Sequence, residues 1–201
     1  AANVERILVN FTDPRKEVDG ERSSLKAPHP WQTDLKVRQA YALLCNRKAI
    51  VDQLYPKGFE VATNLLVEPK TFRSPNTTWE FNIEKANRLL DEAGWTRGPD
   101  GVRQKGGVRM EVLYQTTVNA VRQKTQEIIK QAFEQAGIKM ELKSIQAAVF
   151  FSSDPANPDT AAKFYADLEM FTNGNDLPDP QAYMASWVSW QIAQKANEWR
   201  G

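Results

Sequence analysis

The hydrophobic and polar positions of this chain repeat with two periods, and the changes between them mark most of its elements. The stretch Ile7-Leu-Val-Asn-Phe11 predicts a strand. After Asp34, apolar residues recur at Val37, Ala40, Tyr41 and Leu44, one face of a helix with Asp34 as its N-cap. Asn46 is placed to cap a second, short helix that buries Ala49, Ile50 and Leu54, although Arg47 and Lys48 in its first turn oppose the helix dipole. Pro56 and Gly58 end it. Asn82 opens a third helix with the stripe Ile83, Ala86, Leu89, Leu90 and Ala93. Gly94 follows where a left-handed C-cap is wanted, and Trp95 is placed to fold back on Leu90.

The strongest pattern lies in the middle of the chain. Val108, Met110, Val112 and Tyr114 alternate with Arg109, Glu111 and Leu113, which predicts a strand. Val121, Ile128, Ile129, Ala132, Phe133 and Ala136 mark one face of a long helix that Gly137 stops. Ile138, Met140 and Leu142 then alternate with Lys139, Glu141 and Lys143. Strand, helix and strand in this succession predict a βαβ unit with a right-handed crossover.

Polar connections separate these elements. Residues 12–33 are polar and punctuated by Pro14 and Gly20, which predicts a surface loop, and 61–81 is extended and strand-like before a loop, interrupted by Pro69 and Pro75. Gly98-Pro-Asp-Gly101 and Gly106-Gly107 bracket a small hairpin. A loop over Ser152–Thr160 precedes a short helix and a strand around Ala166–Phe171. A second polar loop, Asn173 to Pro180, leads into a helix from Gln181 that carries Tyr183, Met184 and Trp187. The tail is polar and helix-prone, with Ile192 and Trp199 as its main packing residues, and 188–201 reads as a return segment cut from something longer. The expected class is mixed α/β (α+β), with 1–201 forming a single unit.

Composition removes several functions. The 26 basic and 25 acidic residues leave a formal net charge of +1, which disfavours a nucleic-acid binder held by phosphate neutralisation. No apolar run, Ala147 to Phe151 included, approaches the length that spans a bilayer. Residues from Ala1 onward show neither the basic start nor the apolar stretch of a signal peptide, as in a mature exported chain or a trimmed one. A single cysteine, Cys45, excludes an internal disulfide, and a single histidine, His29, excludes a two-His metal site. No metal or cofactor is expected. Cys45 reads as a small core residue and His29, between Pro28 and Pro30, as part of an exposed extended loop. Lys105-Gly-Gly107 reads as a hairpin turn, because it lacks the order of a phosphate loop.

The candidate chemistry is a crowd of acceptors: Asn173, Asn175, Asp176 and Asp179. Such a turn can capture a cation or an ammonium group. It can equally be an Asx-turn and N-cap cluster before the helix at Gln181. The spacing does not fit a calcium loop, whose twelfth position here is Met184.

Four landmarks carry a family resemblance. Asp34-Leu-Lys-Val-Arg-Gln-Ala-Tyr-Ala-Leu-Leu-Cys-Asn-Arg-Lys-Ala-Ile50 resembles the signature helix of family 5 extracellular solute-binding proteins, with Asn46 and Cys45 as departures. Asn82-Ile-Glu-Lys-Ala86 with Leu89-Leu-Asp-Glu-Ala-Gly-Trp95 is similar to a second motif of that family, Gln135-Ala-Gly-Ile138 to a third and Asp176-Leu-Pro-Asp-Pro180 to a fourth. The resemblance implies a receptor component of an ATP-binding-cassette importer, with two lobes of the periplasmic-binding-protein type II fold closing on a solute. It implies that this chain is the C-terminal-side lobe alone, without the second lobe. The implied partners are a small solute (a peptide, or a sugar or other polar molecule) and a membrane permease. The implied location is periplasmic or extracellular, with membrane attachment only through the transporter or a lipid anchor outside this chain. No enzymatic activity is implied. Asp176 matches the acidic residue that contacts the ligand's amino group in peptide-binding relatives. Asn173 stands where relatives often carry Trp, which favours a more polar contact, and Asn175 lies between them. The rival reading is an enzyme domain that uses the carboxylates near Asp176 for acid–base or metal-assisted chemistry.

Overall fold

The computed structural model describes residues 2–200. In chain order the elements are β1 (Ala2–Val9), α1 (Leu35–Leu44), α2 (Arg47–Leu54), α3 (Ile83–Glu92), β2 (Thr96–Arg97), β3 (Arg103–Lys105) and β4 (Val108–Arg109). There follow β5 (Glu111–Thr117), α4 (Ala120–Gln135), β6 (Lys139–Ile145), α5 (Ala147–Phe150), β7 (Leu168–Asn175) and α6 (Gln181–Ala185). The helix starts are set by side-chain caps. Asp34, Asn46, Asn82 and Asn119 each accept a backbone N–H from the first turn of α1, α2, α3 and α4.

Four strands form the main sheet in the order β1-β7-β5-β6. β5 runs parallel to both β6 and β7, with α4 crossing between β5 and β6, as the alternation around α4 predicts. β1 closes the other edge antiparallel to β7, placing Ala2 opposite Asn175 and Val9 opposite Leu168. One sheet face carries Val112, Tyr114, Met140, Leu168 and Met170, which pack with Val37, Ala40, Leu44, Leu90, Ile129 and Phe133 into the core. The other face carries Gln115, Glu169 and Phe171, where Phe150 and Phe151 meet the Phe171 ring edge-on. No helix among the described residues is long and apolar enough to cross a membrane.

The short strands β2, β3 and β4 make a separate antiparallel sheet. The alternation predicted one strand from Val108. The structure divides it at the buried Met110: β4 pairs with β3, and β5 joins the main sheet. Arg103 on β3 anchors this small sheet. Its buried guanidinium donates to the Ala136 carbonyl at 2.6 Å and to Asn87 Oδ1 at 2.9 Å, and it pairs with Asp91, so it holds the end of α4 against α3.

Several expectations change. Residues 61–81 contain bends and a short 3-10 turn at Lys70–Phe72 rather than a strand. No helix stands between Thr160 and β7. β1 begins at Ala2 and stops at Val9, because Asn10 leaves the strand and donates to the carbonyls of Phe164 and Ala166. β7 begins later than predicted and continues through Asn175, so Asn173 and Asn175 are strand residues and not loop residues. Residues 12–33 hold only isolated bridges, yet Thr12, Ser23, Ser24, Ala27, His29, Trp31 and Gln32 are buried. The tail packs on this segment: the Gln194 amide donates to the Ser23 carbonyl and accepts from the Leu25 N–H. Cys45 is half-buried and borders the core.

Gly137 is the tightest backbone position. Its φ is +83°, and a Cβ there would lie 2.8 Å from the Gly101 carbonyl oxygen. Gly137→Ala therefore combines strain at positive φ with a backbone clash. It is expected to lower the unfolding free energy by about 2 kcal/mol or more in urea titrations. An unchanged midpoint would show that these two turns do not approach as closely as the structure has them.

Candidate functional site

The parallel strands β5 and β6 end level with each other, at Thr117 and Ile145. β7, whose Met170 pairs with Thr116, runs on past them beside β1 to Asn175, and α4 starts just beyond β5. In open α/β sheets, ligands bind in the crevice outside these carboxyl ends, where loops and helix N-termini converge. The strand ends are braced from within. Arg122, in the first turn of α4, donates to Thr117 Oγ1 at 2.6 Å, to Glu5 Oε1 at 2.9 Å and to Thr172 Oγ1 at 3.0 Å. One side chain thus ties α4 to β5, β1 and β7.

The residues singled out by the sequence divide here into different roles. Asn175 is buried; its Nδ2 donates to the carbonyls of Leu177 at 2.6 Å and Glu68 at 3.3 Å, and its Oδ1 accepts from the Leu177 N–H. It shapes the turn and fastens it to the 61–75 loop. Asp179 accepts the Gln181 N–H at 2.8 Å in an Asx-turn just before α6, whose N-cap is Pro180, so for this residue the turn reading holds and the side-chain cap does not. Asn173 is half-buried on β7, opposite Val4, and its Oδ1 accepts the neighbouring Gly174 N–H. Asp176 is exposed just past the strand, and no hydrogen bond among the described residues engages its carboxylate. Of the four, Asp176 is the one whose side chain accepts no hydrogen bond among the described residues.

A further group beside them is not singled out by the sequence pattern. Arg6 on β1 lies under α6, its guanidinium between the rings of Phe171 and Trp187, while Tyr183 Oη donates to the Leu65 carbonyl at 3.2 Å. The alternation Val4, Arg6, Leu8 is the available signal, and it lies ahead of the strand that the pattern predicts from Ile7.

At the opposite end of the strands, the structure corrects the reading of His29. Its side chain is buried, not exposed, and its Nε2 lies 2.7 Å from Asp167 Oδ1. His29 Nδ1 accepts the backbone N–H groups of Trp31 and Gln32, which places the ring proton on Nε2, donating to Asp167. Arg15 adds two bonds to the same carboxylate, at 2.6 and 2.7 Å, and the Leu113 N–H a further one at 2.7 Å. Burial raises the Asp167 pKa, but the His29 and Arg15 hydrogen bonds outweigh it and hold the carboxyl below its ordinary value. With the imidazole nitrogens both engaged, this His–Asp pair is a brace. The groove beside it, about 430 Å³ and lined by Asp13, Arg15, Trp31, Arg109 and Glu111, has its guanidinium groups already bonded to protein.

Glu169, between the two ends of β7, is a different case. It is buried, with the Gln115 amide donating to it at 3.0 Å, and burial pushes its pKa up to about 8, against the smaller opposing effect of that hydrogen bond. In the unfolded chain it titrates near about 4.3. Below that value both states are protonated and the fold keeps its full stability. Between the two values only the unfolded chain is ionised, so stability falls as pH rises and levels off above about 8. Glu169→Gln preserves an acceptor for Gln115 and removes this slope. Urea unfolding of the two chains should give similar stabilities at about pH 4 and a variant more stable by a few kcal/mol at about pH 8. Parallel pH profiles would mean that Glu169 is solvated or paired.

Comparison with known proteins bears on the family and the fold. A model of the family described as bacterial extracellular solute-binding proteins, family 5 middle, matches residues 3–195. The oligopeptide-binding protein AppA of Bacillus subtilis is 30% identical over 134 residues, which cover 63% of this chain and 24% of AppA. The oligopeptide-binding protein from Thermus thermophilus, complexed with a pentapeptide, is similar in structure with a TM-score of 0.70. That likeness holds at 27% identity over 84% of this chain and 30% of the Thermus chain. NikZ from Campylobacter jejuni, in complex with Ni(L-His), shares the fold with a TM-score of 0.71 at 21% identity, over 94% of this chain and 34% of NikZ. The chain thus spans about a quarter to a third of these relatives. On the extent of the family match, it belongs to the bacterial extracellular solute-binding proteins, family 5.

Proposed function

We propose that this chain is one lobe of the receptor of an ATP-binding-cassette importer, working outside the cytoplasmic membrane. It captures a peptide between itself and a second lobe and delivers it to a membrane permease. The observation that carries this reading is the unengaged Asp176 carboxylate at the carboxyl end of β7, beside the half-buried Asn173. A carboxylate held there by a rigid strand end suits the ammonium group of a peptide, through a charge-assisted hydrogen bond. The braces at Arg122 and Asn175 hold the strand ends in place, so little ordering is needed on binding. Capture by lobe closure makes and breaks no covalent bond; its driving force is contact with both lobes at once. This lobe alone offers half of those contacts, and its affinity is expected to be at least about a hundredfold below that of the whole receptor.

The direct test is titration calorimetry of the whole receptor with trialanine. Asp176→Asn should weaken binding by about tenfold or more, the value of one charge-assisted bond, and leave the thermal unfolding midpoint in place. Unchanged affinity would overturn the role of Asp176. An enzyme would instead turn over a substrate and lose that turnover in the same variant.

A further inference from the structure

Most arginines braced against this fold have their donors engaged by protein acceptors. Arg15, Arg103 and Arg122 are bonded to the carboxylates of Asp167, Asp91 and Glu5. Arg38 and Arg47 donate to the carbonyls of Gln32 and Ala62 at 2.9 Å. Arg6 differs. Its guanidinium carbon lies 4.5 Å from the Trp187 ring centroid and 5.4 Å from that of Phe171. Its one hydrogen bond among the described residues is a long one, 3.4 Å to Tyr183 Oη, and its buried Nε has no acceptor. The indole N–H of Trp187 is a second buried donor without an acceptor in the same cluster. Aromatic faces hold the cation in position, yet they supply none of the strong acceptors that the guanidinium N–H donors require. The partial burial of Arg6 lowers its pKa, and Tyr183 and Glu5 oppose this only through space.

The position of this group matters as much as its state. Arg6 pairs with Phe171 and Val4 with Asn173 across the β1–β7 ladder, so Arg6 and Asn173 share one sheet face. Diagonal neighbours in such a ladder lie about 7–8 Å apart, within reach of one small solute. Asp176 follows at the end of the same strand.

We infer that Arg6 is the receptor for a carboxylate of the solute, its aromatic box holding the guanidinium fork ready and Trp187 Nε1 supplying a further donor. This rests on the solute-binding reading above and adds to it: the preferred ligand is an acid or a zwitterion, its carboxylate at Arg6 and any ammonium group at Asp176. A planar guanidinium matches a carboxylate through two parallel hydrogen bonds, which a lysine in the same place would not reproduce.

The test is a nitrogen-15 NMR titration of the whole receptor at millimolar peptide, following the Arg6 Nε–H, the Trp187 indole N–H and the amides of Asn173 to Asp176. Three probes separate the charges: trialanine, N-acetyl-trialanine (anion only) and trialanine amide (cation only). The Arg6 and Trp187 signals should move with the first two and stay in place with the amide. Arg6→Gln should weaken binding of the first two by about tenfold or more and leave the amide unchanged, and Arg6→Lys should recover only part of the loss. Movement of the Asn173–Asp176 amides with Arg6 unmoved would overturn the Arg6 assignment and leave the solute-binding reading standing. Equal Arg6 shifts with all three probes would also overturn it, and no shifts anywhere would overturn both. The wild-type titration decides the matter even if a variant fails to fold.

Discussion

The buried carboxylate of Asp167 is the constraint from which the rest of the arrangement follows. A charge removed from water must be matched by donors, and leaving one unpaired costs several kcal/mol. Asp167 obtains its donors from three places far apart in sequence: Arg15, His29 and the Leu113 N–H of β5. Meeting that demand draws the segment between β1 and α1 across the sheet. Gln32 reinforces it by donating to the carbonyls of Asn10 and Asp167, and Asn10 by donating to those of Phe164 and Ala166. The entry of β7 is thereby clamped to both β5 and the exit of β1.

Clamping one end of a strand positions its other end. With Val9 opposite Leu168 and Asp167 fixed, the ladder carries β7 forward to Asn173 and Asn175 in a single register. The two ends of the sheet then divide the work. The amino-terminal ends of β5 and β7 hold the dense, fully engaged network around Asp167. The carboxyl ends hold groups with bonding capacity left over, Asp176 and Arg6, between braces made by Arg122 and Asn175. A structure that closes its polar network at one pole and leaves it open at the other can be stable and still receptive.

How much of this was legible in the sequence depended on how local the cause was. The helices α1, α3 and α4, the caps at Asp34 and Asn82, and the βαβ unit follow from residues within a few turns of one another, and they stand where the periodicity put them. The family landmarks also lie largely on these elements. His29 was misread because its partner is 138 residues away and the flanking prolines suggest exposure. The burial of residues 12–33 was hidden for the same reason, since a polar segment that satisfies one buried carboxylate looks like a solvated loop. Asp167 itself, between Ala166 and Leu168 at the start of a strand, was the available hint that a distant cation or imidazole was needed. At the site, Asn173-Gly-Asn175 has the composition of a turn, and only the antiparallel partner β1 keeps it extended. Arg6 went unnoticed because its meaning lies in what it lacks, an acceptor, which no pattern of residue types reveals.

The most direct measurement is native-state amide hydrogen exchange on Asp167→Asn beside the parent chain. Loss of the charged acceptor should release the segment over residues 10–32, lowering its amide protection by an order of magnitude or more, while amides in α4 exchange as before. Protection that persists across 10–32 in the variant would contradict the central role given to Asp167, and with it the explanation of how β7 is held.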